Sequence, residues 1–254
     1  IQQGFSKLIE HTPSMKGFVC TREMKDDGDI DVMKLAAENM VRSYKRTRAQ
    51  FASDALTAET DYFMYGKKKL DRTTGDGKAL FATDHPGVRD GVAVQSNVFT
   101  NKFGQDTVML NRLANIGRNF KNDSGNVQGY TFDTIIIPSN VPALEDFIKR
   151  VIRSELIVGS NNNDVNTQKG LWNLIVDPMW QVTDESEPYI LMSSQANKEL
   201  MGSVFYDRVP LDVVNYVDNE TRNLCWNGYC RFSAGFRNWR HVILGGAKTG
   251  TTLT

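Results

Sequence analysis

The chain has 254 residues, 40% of them apolar, which is enough for one large domain or two small ones with a substantial core. Its 30 basic and 30 acidic residues balance, whereas a dedicated nucleic-acid-binding protein usually has a basic excess. No run of about 18 apolar residues predicts a membrane-spanning helix, and the first residues do not have the pattern of a signal peptide.

The cysteines argue against a disulfide-stabilised fold. Cys20, Cys225 and Cys230 are an odd number and form no disulfide framework. We therefore expect all three to be reduced thiols in a protein that is made in a cytoplasm.

A long helix is the main predicted element of the first part of the chain. After a strand expected near residues 17–24, the pattern predicts one helix over residues 30–56, because apolar side chains recur at steps of three, four or seven. Such a helix spans roughly 40 Å, which is long beside the usual length of about 11–12 residues. The apolar stripe consists of Met33, Ala37, Met40, Tyr44, Phe51 and Ala55.

The opposite face of this helix is basic. Two interpretations stay open: a solvent-exposed face, which is favoured for an isolated cluster of this size, or a surface that meets nucleic acid or an acidic neighbour. The residues are Arg42, Lys45, Arg46 and Arg48.

A polar segment over residues 57–79 leads into the sequence DGKALFATDHP at residues 76–86. Three hypotheses compete here. Asp84 and His85 could form an acid/base pair, His85 could bind a metal, or the stretch could be a turn with Leu80 and Phe81 in a core. The turn is favoured, because a catalytic histidine needs an orienting partner and something to activate.

The rest of the sequence supports no catalytic, metal or cofactor site. No serine lies in a GxSxG motif, and zinc needs several nitrogen or sulfur ligands. The three histidines, His11, His85 and His241, are far apart in the sequence. We therefore expect no catalytic residues, no metal and no cofactor.

The second half of the chain is predicted to be mixed α and β. A nearly continuous apolar run at residues 131–138 indicates a buried strand, and Pro142 suits the first turn of the following helix. The other predicted helices cover residues 105–121, 142–156 and 195–201, and the other strands cover residues 171–177, 188–192, 211–217, 223–236 and 238–244.

Two motifs in this order resemble a known family. Residues 80–86, with the pattern LF…DHP, precede an amphipathic helix, and the helix is followed by FDTIIIP at residues 132–138. This arrangement is similar to the major capsid proteins of tailed bacteriophages, and most of all to the Mu-like head subunits with the HK97-type fold.

The resemblance implies an α+β capsid fold with a long spine helix, a peripheral domain and an axial domain. Residues 1–18 would end an N-terminal arm or extended loop, and residues 19–104 would form the peripheral domain with spine helix 30–56. Residues 105–222 would form the axial domain, and residues 223–254 would be strands returning to the peripheral domain and a C-terminal tail. Only about two dozen residues precede the predicted spine helix, so we expect the arm and much of the loop to lie upstream of Ile1.

The function that the resemblance implies is structural. The chain would self-assemble into hexamers and pentamers of an icosahedral head that encloses double-stranded DNA with weak, non-specific contact. Its partners would be further copies, scaffold, portal and decoration proteins, with no membrane. It would be made in the host cytoplasm and reside in the virion. Two alternatives stay open: an encapsulin-like compartment shell, and an α/β hydrolase using Asp84 and His85.

Overall fold

A computed structural model describes residues 5–28, 30–89, 91–103, 107–157, 164–183 and 186–253 of the chain. Within these ranges the fold is mixed α and β, with five helices and nine strands in three sheets. The helices are α1 (Arg22–Asp26), α2 (Ile30–Thr57), α3 (Thr107–Arg118), α4 (Pro142–Arg153) and α5 (Ser194–Leu200). The strands are β1 (Thr12–Cys20), β2 (Tyr62–Tyr65), β3 (Lys68–Asp71), β4 (Thr134–Pro138), β5 (Asn173–Asp177), β6 (Tyr189–Met192), β7 (Ser203–Val217), β8 (Leu224–Phe236) and β9 (Val242–Gly245).

Contacts along the chain divide it into two compact units, both built from separate stretches of sequence. The long-helix unit comprises Leu8–Ala52 and Phe205–Ala234. The central-sheet unit comprises Ile1–Lys7, Ser53–Val204 and Gly235–Thr254. The assignment of residues 19–104 and 105–222 to peripheral and axial domains stays a prediction.

In the long-helix unit, α2 packs on a three-stranded sheet with the order β1-β8-β7. β1 pairs antiparallel with β8, from Thr12 opposite Phe232 to Cys20 opposite Leu224. The Phe51 ring of α2 meets the Phe232 ring edge to face at 5.0 Å, and Met40 is also buried. The predicted helix over residues 30–56 is confirmed, and its apolar stripe supplies the contact with the sheet.

In the central-sheet unit, four strands lie in the order β5-β4-β6-β9. Every residue of β4 is buried, as the continuous apolar run predicted. β4 and β5 are parallel and therefore need a crossover connection, which contains α4. Leu144, Ile148 and Val151 of α4 are buried, and Pro142 lies at its first position.

Three predicted strands have different bounds in the structure. The strand expected at 17–24 ends at Cys20, because the Thr21 hydroxyl accepts a hydrogen bond from the N–H of Met24 and starts α1. β7 begins at Ser203 instead of residue 211. The strand expected at 238–244 begins at Val242, after a turn in which Asn238 accepts from the N–H of Arg240.

The C-terminal end of α2 is held by one buried arginine. Arg72 is fully buried, and its guanidinium donates to the carbonyl oxygens of Ala55, Leu56 (2.7 Å) and Thr60 (3.0 Å). The last carbonyls of a helix have no partner within the helix, so these bonds satisfy groups that would otherwise be buried unpaired. Burial lowers the pKa of Arg72 to about 9, so the side chain is still charged at neutral pH.

Replacing this arginine is expected to destabilise the subunit strongly. Arg72→Met keeps much of the side-chain volume but leaves several buried carbonyls unpaired, which costs about 3 kcal/mol or more. Chemical denaturation of the unassembled subunit would measure this loss. The control is Arg118→Met at an exposed helical arginine, where a change within about 0.5 kcal/mol is expected. Equal losses in the two variants would contradict the role given to Arg72.

Candidate functional site

Three of the four basic residues predicted as a contact surface lie together on the solvent side of α2. Arg42, Lys45 and Arg46 are exposed, and their spacing of three and four places them on one helical face. Arg42 donates to Glu38 one turn earlier at 3.2 Å, and both side chains are more than 60% exposed. An exposed pair of this kind contributes little to stability, so these cations are available to a partner.

Arg48 is different, because it packs within its own subunit. Its guanidinium lies 2.6 Å from Asp207 on β7. It also stacks over the rings of Phe205 at 4.9 Å and Tyr44 at 5.7 Å. Arg48 was predicted to belong to the same surface as the other three, but in the structure it connects α2 to β7 of the sheet.

The histidine of the DHP motif belongs to a buried polar cluster of Asp76, His85 and Asn97. His85 is fully buried, with Nδ1 2.7 Å from the Asp76 carboxylate and Nε2 3.3 Å from Asn97 Oδ1. Its ring is stacked on Trp239 at 4.2 Å. Asp84 does not join this cluster; it pairs with Lys78 on the surface. The acid/base pair Asp84–His85 is therefore not formed.

The polar cluster connects distant parts of the backbone. The Asn97 side-chain amide donates to the carbonyls of Leu80 (2.8 Å) and Val242 (3.2 Å), and its oxygen accepts from the N–H of Ala82. The prediction that Leu80 and Phe81 lie in a core is confirmed, since both are buried. The LF…DHP motif is thus a structural turn.

Asp76 is charged at neutral pH because of its hydrogen bonds. Burial acts to raise the pKa of Asp76, but hydrogen bonds from His85, Thr74 and the N–H of Lys78 outweigh it and lower the pKa. Sequence reasoning did not identify Asp76 as the partner of His85, because the loop between them gives no signal of which carboxylate turns inward.

A second buried histidine lies near the end of β8. His241 is fully buried, and its Nε2 is 2.6 Å from the hydroxyl of Ser203. A Cβ at Gly202 would come within 2.2 Å of the His241 ring, so only glycine fits there. Burial lowers the pKa of His241 to about 3. The imidazole is therefore neutral in the fold.

The described part of the chain contains no convergent metal ligands. No three His, Cys, Asp or Glu side chains within it come together at a possible metal site. Its helices are also too short or too polar to cross a membrane. Cys20, Cys225 and Cys230 are all buried as free thiols.

The family of the chain is decided by comparison of its sequence with known families. The profile of a family described as phage capsid protein matches residues 16–244 of the 254. The chain belongs to this family. It is therefore a phage capsid protein, a structural component of the virion. No curated protein sequence matches it significantly.

Solved structures show the same fold at low sequence identity. A structure from Mycobacterium phage Patience aligns with a TM-score of 0.61 at 11% identity, covering 94% of this chain and 70% of that one. The capsid of a native GTA particle aligns with a TM-score of 0.51 at 10% identity, covering 93% and 72%. The head structure of Helicobacter pylori bacteriophage KHP40 aligns at 0.51 and 8% identity, covering 95% and 75%.

These similarities establish the HK97-type capsid fold that the motifs implied. The Mu-like subgroup, to which the sequence was also similar, stays a prediction. No comparison assigns roles to Arg42, Lys45, Arg46 or Arg48, so their part in contacts between subunits or with DNA is also a prediction.

The capsid protein is expected to lose stability in acid through His241. Its pKa is depressed in the fold from 6.5 to about 3, so the unfolded chain binds a proton that the folded chain does not. The stabilisation is complete above pH 6.5 and is lost as the pH falls towards 3, with a limiting slope of about 1.4 kcal/mol per pH unit. Denaturation of the unassembled subunit at several pH values would measure this slope.

His241→Gln is the matched variant, because glutamine keeps a polar side chain beside Ser203 but does not titrate. Its stability is expected to fall less steeply than that of the unmodified subunit between pH 6.5 and 3.8. Asp76 titrates below this window, since its pKa is lowered from 3.8. Parallel curves for the two proteins would show that His241 does not control the acid response.

Proposed function

We propose that this capsid protein is the major head subunit of a tailed phage or prophage. In this proposal it forms the hexamers and pentamers of an icosahedral shell, and the shell encloses double-stranded DNA. The observation that carries the proposal is the family match over residues 16–244, together with the HK97-type fold. The balanced charge of 30 basic and 30 acidic residues suits a wall that encloses DNA without binding it tightly.

We also propose the domain roles that the family resemblance implies. α2, with 28 residues, is the spine helix of a peripheral domain over residues 19–104. Residues 105–222 form the axial domain, and residues 223–254 return to the peripheral domain. Scaffold, portal and decoration proteins are the further partners, and synthesis takes place in the cytoplasm of the bacterial host.

The exposed basic surface of α2, made of Arg42, Lys45 and Arg46, is the proposed contact for an acidic neighbour or for packaged DNA. Within the described part of the subunit, the only ion pair that these cations form is the exposed Arg42–Glu38 pair, so they lack strong partners there. Attraction to phosphate or carboxylate through such a surface weakens as salt increases.

Expression of the full-length protein tests the proposal directly. Closed shells or capsomer rings are expected in the void fraction of a sizing column, seen by negative-stain electron microscopy. Shells that contain nuclease-protected DNA support a phage head. Shells that contain a cargo protein support the encapsulin-like alternative. A subunit that stays monomeric even with scaffold present would refute the shell function.

Charge reversal tests the basic surface separately from the fold. The double variant Arg42→Glu with Arg46→Glu is expected to keep the stability of the subunit within about 0.5 kcal/mol, because both positions are exposed. It is expected to reduce the yield of shells or their DNA content, measured by electron microscopy and nuclease protection.

The matched control is Lys149→Glu with Arg150→Glu on α4. It changes the net charge equally, and Arg150 is also paired with an acidic residue four positions earlier on its helix. If both double variants assembled and packaged like the unmodified protein, the basic surface would have no role. If both failed to the same degree, net charge and not position would be responsible.

A further inference from the structure

β7 is an edge strand whose distal half is uncovered. The sheet order β1-β8-β7 leaves one side of β7 without a partner strand in the described part of the chain. Val213, Val214, Tyr216 and Val217 are exposed by 42–55%. Apolar side chains of this size are rarely left uncovered so close together on a strand that has no binding role.

The exposed residues lie on both faces of β7. Leu211 lies beside Gly228, which also faces Met40 of α2, so Leu211 is on the helix side of the sheet. Tyr216 contacts the Asn227 side chain at 3.5 Å on the opposite, outer side. Because side chains alternate along a strand, Val213 shares the helix side and Val214 the outer side. Apolar side chains on both faces of this segment are thus about half exposed in the described part of the chain.

The segment has few of the features that keep edge strands from pairing. Its sequence, LDVVNYV at residues 211–217, contains no proline, glycine or lysine, and Asp212 is its one charged residue. Natural proteins usually block edge strands with proline, lysine, inward charges or bulges, because an open edge pairs with another strand. Residues 211–217 can therefore pair with a strand from outside the long-helix unit.

β1 lies at the other side of the same sheet, where no further strand pairs with it among the described residues, and it also carries exposed apolar side chains. β1 has nine residues, and Met15 and Val19 on it are 75% and 57% exposed. Met15 lies opposite Tyr229 and Val19 opposite Cys225, which places both on the same outer side as Tyr216. β1 thus presents apolar side chains on the sheet face that also carries Val214 and Tyr216.

The directions of the strands determine how two copies would join. β1 is antiparallel to β8. β7 is also antiparallel to β8, because only the short turn 218–223 connects them and Asp218 donates across it to Asn223 at 2.9 Å. β1 and β7 are therefore parallel, so two copies in the same orientation can join these edges without reversing either one.

We propose that the β7 edge of one capsid subunit pairs with the β1 edge of a second copy, so that the sheet continues from subunit to subunit. The contact is head to tail, which is the type of contact that closes into rings when the rotation between copies allows it. It places Val214 and Tyr216 of one copy beside Met15 and Val19 of the next. This inference rests on the proposed shell function, which supplies the neighbouring copies.

Disulfide trapping in assembled shells tests this pairing. The variant carries Met15→Cys and Val214→Cys in the full-length protein, is assembled under reducing conditions, and is oxidised after shells are seen by electron microscopy. Within one subunit β8 separates β1 from β7, so the two positions are about 9–10 Å apart or more. A disulfide needs Cα atoms within about 7 Å, so this bond can form only between copies.

A ladder of cross-linked oligomers on a non-reducing gel is expected, because each copy bonds to one neighbour through β1 and another through β7. The native cysteines are buried, and Tyr229, not a cysteine, lies opposite Met15. The single variants Met15→Cys and Val214→Cys are the controls and are expected to stay monomeric on the gel. Dimers from Val214→Cys alone would mean that β7 pairs with β7, which would overturn the proposal.

Hydrogen exchange on the unmodified protein gives a second readout that needs no variant. The backbone amides of residues 211–217 are expected to exchange more slowly in shells than in unassembled subunits. Shells that form normally but show neither the ladder nor this protection would refute the strand pairing and leave the shell function intact. Failure of the unmodified protein to form shells would instead refute the proposed function.

Discussion

The buried guanidinium of Arg72 supplies hydrogen-bond donors to the carbonyls at the C-terminal end of α2. The helix ends inside the protein, and its last carbonyls have no partners within the helix. Arg72, which follows the β2–β3 hairpin, donates to three carbonyls at and after this end. It also lies over the rings of Phe81 and Phe236. One charged side chain thus fixes the helix end, the hairpin and the start of the DHP region.

Other polar side chains in the central-sheet unit are also buried and hydrogen-bonded. Asn97 binds the backbone at Leu80, Ala82 and Val242, and Asp76 holds His85 against Trp239. Each of these groups is buried and hydrogen-bonded, as buried polar groups must be if they are not to destabilise the fold. His85, the histidine that suggested chemistry in the sequence, therefore has a structural role in the turn, which agrees with a capsid protein that works by assembly.

The surfaces that remain unused within the subunit are where assembly is expected to act. The solvent face of α2 keeps its arginines and lysine in weak or exposed positions, and the β7 edge keeps its valines uncovered. A monomeric protein would gain from covering the edge. In a shell subunit an open edge can instead pair with a neighbouring copy, and such pairing would fix the orientation of the two copies.

Elements with a strong local pattern could be predicted from the sequence. β4 was recognised because all its side chains are buried, and α2 because its apolar stripe follows the helical period. The start of β7 was missed, since Pro210 interrupts the strand pattern in the sequence. The basic cluster was found, but the separate role of Arg48 depends on Asp207 and Phe205, which lie far away in the sequence.

The sequence by itself determined the long helix, the buried strand, the absence of a disulfide framework and, through two motifs, the capsid family. The tertiary structure alone decided that Asp76 and not Asp84 meets His85, that β7 runs from Ser203, and that β1 and β7 lie on either side of β8 in one sheet. The reason is physical. Periodicity records which side chains are buried within one element, whereas partners and sheet edges depend on contacts between residues far apart in the chain.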